Sequence, residues 1–177
     1  MVSVIIEAGE DPHALAASLS TLVSGAVEGM VREVVVIDRG LDAATRKVAD
    51  HAGCRIAAGE SLAAIIGLSR GNWLLLLEAG ARLSIDWTEA VATHIGDVEG
   101  RALTPRAARF SRAKRDQPGF FARFTGRRTA LVEGLLVPKP QAIGLAKGAG
   151  TLEEMAKGLA TTRLAATVRP RLPASRG

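Results

Sequence analysis

The segment Glu33-Val34-Val35-Val36-Ile37-Asp38-Arg39-Gly40 decides the fold of this chain. Its four consecutive β-branched apolar residues make a strand that is apolar on both faces. A strand of that kind is buried between two layers of helix. The run stops at an acid, and Arg39-Gly40 supplies the turn. The same pattern recurs on either side. Upstream, Val2-Ser3-Val4-Ile5-Ile6 ends at Glu7-Ala8-Gly9; downstream, Asn72-Trp73-Leu74-Leu75-Leu76-Leu77 ends at Glu78-Ala79-Gly80. Cys54-Arg55-Ile56-Ala57 reads as a shorter strand of the same set.

Helices fill the gaps. Asp11-Pro12 opens one, with Asp as N-cap and Pro at the first helical position. Leu15, Leu19, Leu22 and Val23 follow at helical spacing and face the sheet. A second helix runs from Asp42 to Ala52 and stops at Gly53. A third runs from Ser61 to Arg70, with Gly71 past its end, and Trp87 to Ile95 is helical again. Strand and helix thus alternate four times over short connections. That alternation predicts an α/β fold with a Rossmann-like, mostly parallel sheet and helices on both faces. Such sheets bind ligands outside the carboxyl ends of their strands. Glu7, Asp38 and Glu78 stand at three of those ends and are expected to converge along one rim.

Composition sets the outer bounds. A chain of 177 residues makes one domain, placed at 1–168 with a flexible Pro- and Arg-rich tail at 169–177. Hydrophobic residues make up 47% and aromatic residues 3%, so the core must be Leu, Val, Ile and Ala, and long disorder is excluded. The net charge of +5 is concentrated: nine Lys/Arg and one acid, Asp116, lie between Arg101 and Arg128, so that segment carries +8 and the rest is slightly acidic. Such a patch fits an anionic partner: phosphate, phospholipid or nucleic acid. The lone Cys54 excludes an internal disulfide framework and fits a reducing compartment. Met1 to Glu7 lacks a basic leader region, and Trp73 to Leu77 is too short to span a bilayer. These features predict a cytoplasmic protein, at most peripheral to the inner face of a membrane. His13, His51 and His94 share no ligand spacing, and Cys54 reads as a packing residue.

Beyond Arg101 the pattern changes. The segment 101–128 reads as a basic loop region that includes Phe120, Phe121 and Phe124. Ala130 to Val137 reads as one more strand, broken by Pro138-Lys139-Pro140. Thr151-Leu152-Glu153-Glu154 reads as a helix start with a capping box.

Taken together, these segments resemble family 2 glycosyltransferases, which have the GT-A fold. Val2 to Ile6 with its acidic loop looks like that family's first strand and loop. Glu33 to Gly40 looks like its second strand and Asp-Asp-Gly-Ser turn, and Arg70 to Leu83 like the segment carrying its metal-binding Asp-x-Asp. Glu153-Glu154 stands where the family has a Glu-Asp pair whose second acid is the catalytic base. The resemblance implies a nucleotide-sugar-binding half at 1–100 and an acceptor-side half at 129–168. It implies a nucleotide-diphosphate sugar held by Glu7, Asp38 and Glu78, and a divalent metal, Mg²⁺ or Mn²⁺, at Glu78. It implies transfer to a hydroxyl acceptor with inversion, with Glu154 as base. The chain departs from the pattern at Glu7 in place of Pro, at Arg39 in place of the second Asp, at Ala64-Ile65 in place of Arg-Asn, and at Gly80 in place of the last Asp.

Each role has a plainer counterpart. Asp38 is a turn-former of common type. Glu78 is a loop acid, and Glu154 is a cap partner. The basic segment offers arginines for a diphosphate, a docking surface for an anionic membrane, or a loop without specific role. Competing functions are a catalytically inactive relative kept as a nucleotide-binding or scaffold module, and an S-adenosylmethionine methyltransferase suggested by Glu7-Ala8-Gly9 but lacking the next glycines. Nucleic-acid binding through 101–128 has no recognised motif beside the charge, so no specific nucleic acid is expected.

Overall fold

The computed structural model describes residues 1–100, 106–112 and 130–171. Strands β1 (Val2–Ala8), β2 (Val31–Asp38), β3 (Arg55–Ala57), β4 (Trp73–Glu78) and β5 (Arg82–Leu83) alternate with helices α1 (Pro12–Val27), α2 (Ala43–His51) and α3 (Leu62–Leu68). Then come α4 (Trp87–Gly100), β6 (Ala108–Arg112), β7 (Leu135–Pro138), α5 (Lys139–Ala146), α6 (Leu152–Ala156) and β8 (Thr162–Arg169). All eight strands form one sheet in the order β3-β2-β1-β4-β7-β6-β8-β5. The pairs β1·β2, β1·β4, β2·β3 and β6·β8 are parallel, while β4·β7, β6·β7 and β5·β8 are antiparallel. The sheet is therefore mostly parallel, and its antiparallel pairs all involve β5 or β7.

Both faces are covered, as the uninterrupted apolar runs require. Val4, Ile6, Leu75 and Leu77 enter one core with Leu15, Trp87 and Phe110. Ile5, Val35, Leu74 and Leu76 enter the other with Ile65, Leu135, Leu152 and Met155. Each fully buried side chain of this size contributes roughly 1.5–3 kcal/mol. The helix starts follow the expected caps: Asp11, Asp42, Ser61 and Thr151 each accept a hydrogen bond from the backbone N–H three residues on. Gly71 allows a close crossing, since a Cβ there would lie 2.4 Å from Ser3 N. Its N–H instead donates to the buried Ser3 Oγ at 2.8 Å, and that hydroxyl donates to Glu33 Oε1 at 2.7 Å.

The second half differs from its sequence reading in four places. The basic segment contains β6, in which buried Ala108 and Phe110 alternate with half-buried Arg109 and Ser111. Residues 130–133 form a turn, because Gly134 adopts φ +62 and confines the strand to Leu135–Pro138. Pro138-Lys139-Pro140 ends β7 and also opens α5, where Pro140 stands in the first turn and needs no N–H partner. Arg169 closes β8, so the sheet extends into the stretch read as tail; residues 172–177 lie outside the described residues.

Candidate functional site

The register fixes where the strand-end acids stand. Glu7 lies opposite Glu78 in the parallel β1·β4 pair, so both side chains leave the sheet on the same face. In the β1·β2 pair Glu7 lies opposite Ile37 and Ala8 opposite Asp38, so Asp38 shares the rim but points to the other face. Glu7 and Glu78 open onto one cleft of about 410 Å³, which Asp11, Leu131, Glu153 and Arg171 also line. Asp38 and Glu154 do not line it. A larger groove of about 620 Å³ lies beside Met1, Met30 and α4, at the amino ends of β1 and β2. Ligands in open α/β sheets bind at the carboxyl rim, which makes the smaller cleft the candidate.

Two departures from the family pattern turn out to be partners. Arg39 donates to Glu7 Oε1 from Nη2 at 2.7 Å and from Nε at 3.3 Å, and Nη2 also donates to Gly150 O at 2.7 Å. The same Glu7 oxygen accepts from Leu152 N at 3.1 Å. Glu7, with its side chain 20% exposed, thus ties the ends of β1 and β2 to the start of α6.

The other acids have equally definite partners. Asp38 Oδ1 accepts from Gly40 N at 2.9 Å and Leu41 N at 2.8 Å, and its Oδ2 accepts from Arg46 at 2.6 Å. That is the turn-forming role, with Gly40 at φ +92 completing the turn. Glu153 accepts from Ala130 N at 2.7 Å and from Leu131 N at 3.1 Å, which holds the turn 130–133 against the cleft. Glu154 accepts from Gly150 N at 2.7 Å, so its cap is completed one residue before Thr151. Arg171 pairs with Asp11 at 2.6 Å.

The backbone N–H of Leu41, then that of Gly40, and further on Arg46, hold the Asp38 carboxyl below its ordinary value of 3.8. A folded value below the unfolded one means this stabilisation is full above about pH 4 and is lost as pH falls through the folded value. Asp38→Asn is therefore expected to flatten the acid limb of the stability curve, read by chemical denaturation from pH 2 to 5 (about the acid side of a carboxylate titration). Identical acid limbs in the two proteins would contradict this. Burial, aided by Asp50, pushes the Cys54 thiol up to about 11, which makes it a packing residue and not a nucleophile at neutral pH.

The described cleft lining is acidic: Glu7, Glu10, Asp11, Glu78 and Glu153 stand against Arg171, with Arg39 reaching Glu7 from outside the lining. An anionic diphosphate placed here requires a cation between it and these carboxylates. Among the described residues no three His, Cys, Asp or Glu side chains converge as a complete metal cage. The donor set is all hard oxygen, which suits Mg²⁺ or Mn²⁺ when ligand phosphates complete the shell. The basic segment does not supply the missing charge where the structure describes it, because Arg109 and Arg112 sit beyond the turn 130–133. Phe120, Phe121 and Phe124 lie outside the described residues, and among the described residues no helix is long and apolar enough to cross a membrane.

Sequence reasoning missed Arg39, Glu153 and Arg171 as rim residues. A signal existed for the first: opposite charges replace uncharged Pro and acidic Asp of the family pattern at neighbouring strand ends, at Glu7 and Arg39.

The strand order and topology are those of a GT-A-like fold, shared with solved glycosyltransferase structures. The solved structures it resembles include S. aureus TarS residues 1–349, at TM-score 0.64 and 12% identity, covering 92% of this chain and 57% of that one. Mycobacterium tuberculosis glucosyl-3-phosphoglycerate synthase, in complex with Mn²⁺, UDP and glucosyl-3-phosphoglycerate, matches at TM-score 0.56 and 14% identity over 98% of this chain and 72% of that one. Rubrobacter xylanophilus mannosyl-3-phosphoglycerate synthase matches at TM-score 0.55 and 14% identity over 78% and 53%. This chain therefore spans little more than half the length of TarS 1–349. No protein-family profile and no curated protein matches the sequence.

Proposed function

We propose that this chain is a glycosyltransferase-like protein that binds a nucleotide-diphosphate sugar in the rim cleft and transfers the sugar to a hydroxyl acceptor with inversion. The observation that carries the reading is the in-register pair Glu7 and Glu78, opening on one cleft at the carboxyl ends of β1 and β4. Glu78 would hold a divalent metal together with the donor's diphosphate, and Glu7 would border the same end. Asp38, one strand over, would serve the nucleotide end through the turn it holds. Neighbouring strands are about 4.8 Å apart, so a nucleotide laid across β2, β1 and β4 has the right span. The bound metal would act as a Lewis acid and neutralise the leaving diphosphate. Glu154 would accept the proton of the acceptor hydroxyl. The neighbours crystallised with Mn²⁺ and UDP support a metal-dependent nucleotide site in this fold.

A second reading has its own observation. Protein partners already engage Glu7, Asp38, Glu153 and Glu154. Such a site suits a catalytically inactive relative that binds a nucleotide or serves as a scaffold.

Thermal shift with UDP, GDP and TDP sugars, with and without Mn²⁺, separates the two. Active transfer predicts that one donor raises the melting temperature only with metal; a ligand at a hundred times its Kd adds about 2.7 kcal/mol. Glu78→Ala should remove that metal-dependent gain. A metal-independent shift without turnover selects the inactive reading, and no shift with any donor rejects nucleotide binding altogether.

A further inference from the structure

Across the turn 130–133 from the rim cleft lies a second cavity of about 350 Å³. Arg109, Arg112 and Arg163 line it, with Glu133 as the one acid among its described lining residues. Arg109 and Arg163 are in register on the parallel strands β6 and β8, so both leave the sheet on one face. Arg109 donates from Nη1 to Ala130 O and from Nη2 to Ala156 O, the latter at 2.6 Å, and both alanines line the same cavity. Arg163 Nη1 donates to Glu133 Oε2 at 2.8 Å and to Phe110 O at 2.9 Å. Glu133 Oε1 lies 3.7 Å from Arg112 Nε, beyond hydrogen-bond distance. That Nε is buried without a hydrogen-bond partner among the described residues, on a side chain only 13% exposed.

Among the described lining residues three guanidiniums stand against one carboxylate, and Glu153 acts on Arg109 from outside the lining, so positive charge remains in excess. The cost falls on Arg112, whose side chain is only 13% exposed beside two further guanidiniums, unless something of opposite sign completes the group. An oxyanion does this well, because the planar guanidinium fork matches the oxygens of a phosphate. We propose that Arg109, Arg112 and Arg163 form a binding site for a phosphoryl group, separate from the rim cleft, with Glu133 standing between Arg112 and Arg163. The site stands on its own residues and does not require the chain to be an active transferase. The phosphoryl group has two sources: free phosphate or a phosphomonoester, and the diphosphate of a nucleotide.

Isothermal titration of the full chain with inorganic phosphate, at constant ionic strength against a chloride control, tests the site. Saturable binding is expected. Arg163→Gln should weaken it about tenfold or more, as expected for loss of a charge-assisted contact. Arg163 is 58% exposed, so the fold should tolerate the change. Arg163→Lys, which keeps charge but loses the fork, carries the test if the glutamine variant does not fold. Arg55→Gln, remote from the cavity, should bind phosphate like the parent. Repeating the titration with saturating UDP and Mn²⁺ assigns the source, and unchanged phosphate affinity is the expected result. Competition by UDP, with UDP itself weakened by Arg163→Gln, would overturn the separate site in favour of the nucleotide diphosphate. Absence of saturable phosphate binding, or parental binding by both Arg163 variants, would overturn the proposal entirely.

Discussion

Changing Glu154 to Gln is expected to lower sugar transfer by about 10²–10⁴-fold, the usual contribution of a positioned general base. Direct displacement at the sugar carbon leaves the acceptor hydroxyl with a proton to lose, and an amide cannot take it. The fold should survive. Gln can still accept from Gly150 N, and the Thr151 cap uses the Glu154 backbone N–H, which the substitution leaves in place. Transfer is read as nucleoside diphosphate released from the donor that gives a thermal shift. The companion variant Glu153→Gln makes the result decisive. Glu153 lines the cleft and holds Ala130 N and Leu131 N, so its loss should loosen the turn and raise KM more than it lowers kcat. If Glu154→Gln turns over like the parent while Glu153→Gln loses kcat, the base is Glu153. If neither changes turnover, the paired acids take no part in the chemistry.

Trp87→Ala is expected to destabilise the protein by about 3–5 kcal/mol, the range for emptying a large aromatic site in a core. Trp87 is 0% exposed and begins α4. Its indole N–H donates to Thr21 O of α1 at 3.0 Å. Its ring occupies the space above Gly25, where a Cβ would come within 2.3 Å. The side chain therefore pins α1 to α4, and truncation leaves a cavity and removes the second hydrogen bond to a helical carbonyl. Denaturant unfolding measures the loss; a change below about 1 kcal/mol would mean the helices close over the gap.

The difference between the two halves of the chain follows from how each strand advertises itself. Residues 34–37 and 73–77 are apolar at every position because the sheet is covered on both faces, and Asp11, Asp42 and Ser61 mark the helices between them. The strand β6 has the sequence Ala-Arg-Phe-Ser-Arg, and its charge hides the alternation of Ala108 and Phe110. The strand β8 carried a legible period of two in Leu164, Ala166 and Val168, but its nearness to a Pro- and Arg-rich end obscured it. At the site, the strand ends made Glu7 and Glu78 legible. The face of Asp38 was not, since one residue of register moves a side chain through the sheet. Nor was the choice between Glu153 and Glu154, because neighbouring residues of a first helical turn point in directions only the packed helix fixes. The bond between Glu7 and Arg39 joins residues 32 apart in sequence and depends on two strands lying side by side.

A crystal of the full chain grown with Mn²⁺ and the nucleotide that gives the largest thermal shift tests the rim cleft most directly. The account predicts diphosphate density beside Glu78, with the nucleoside extending past Glu7 toward the end of β2. Nucleotide bound away from the carboxyl ends of β1 and β4, for instance in the groove beside Met1 and Met30, would contradict it.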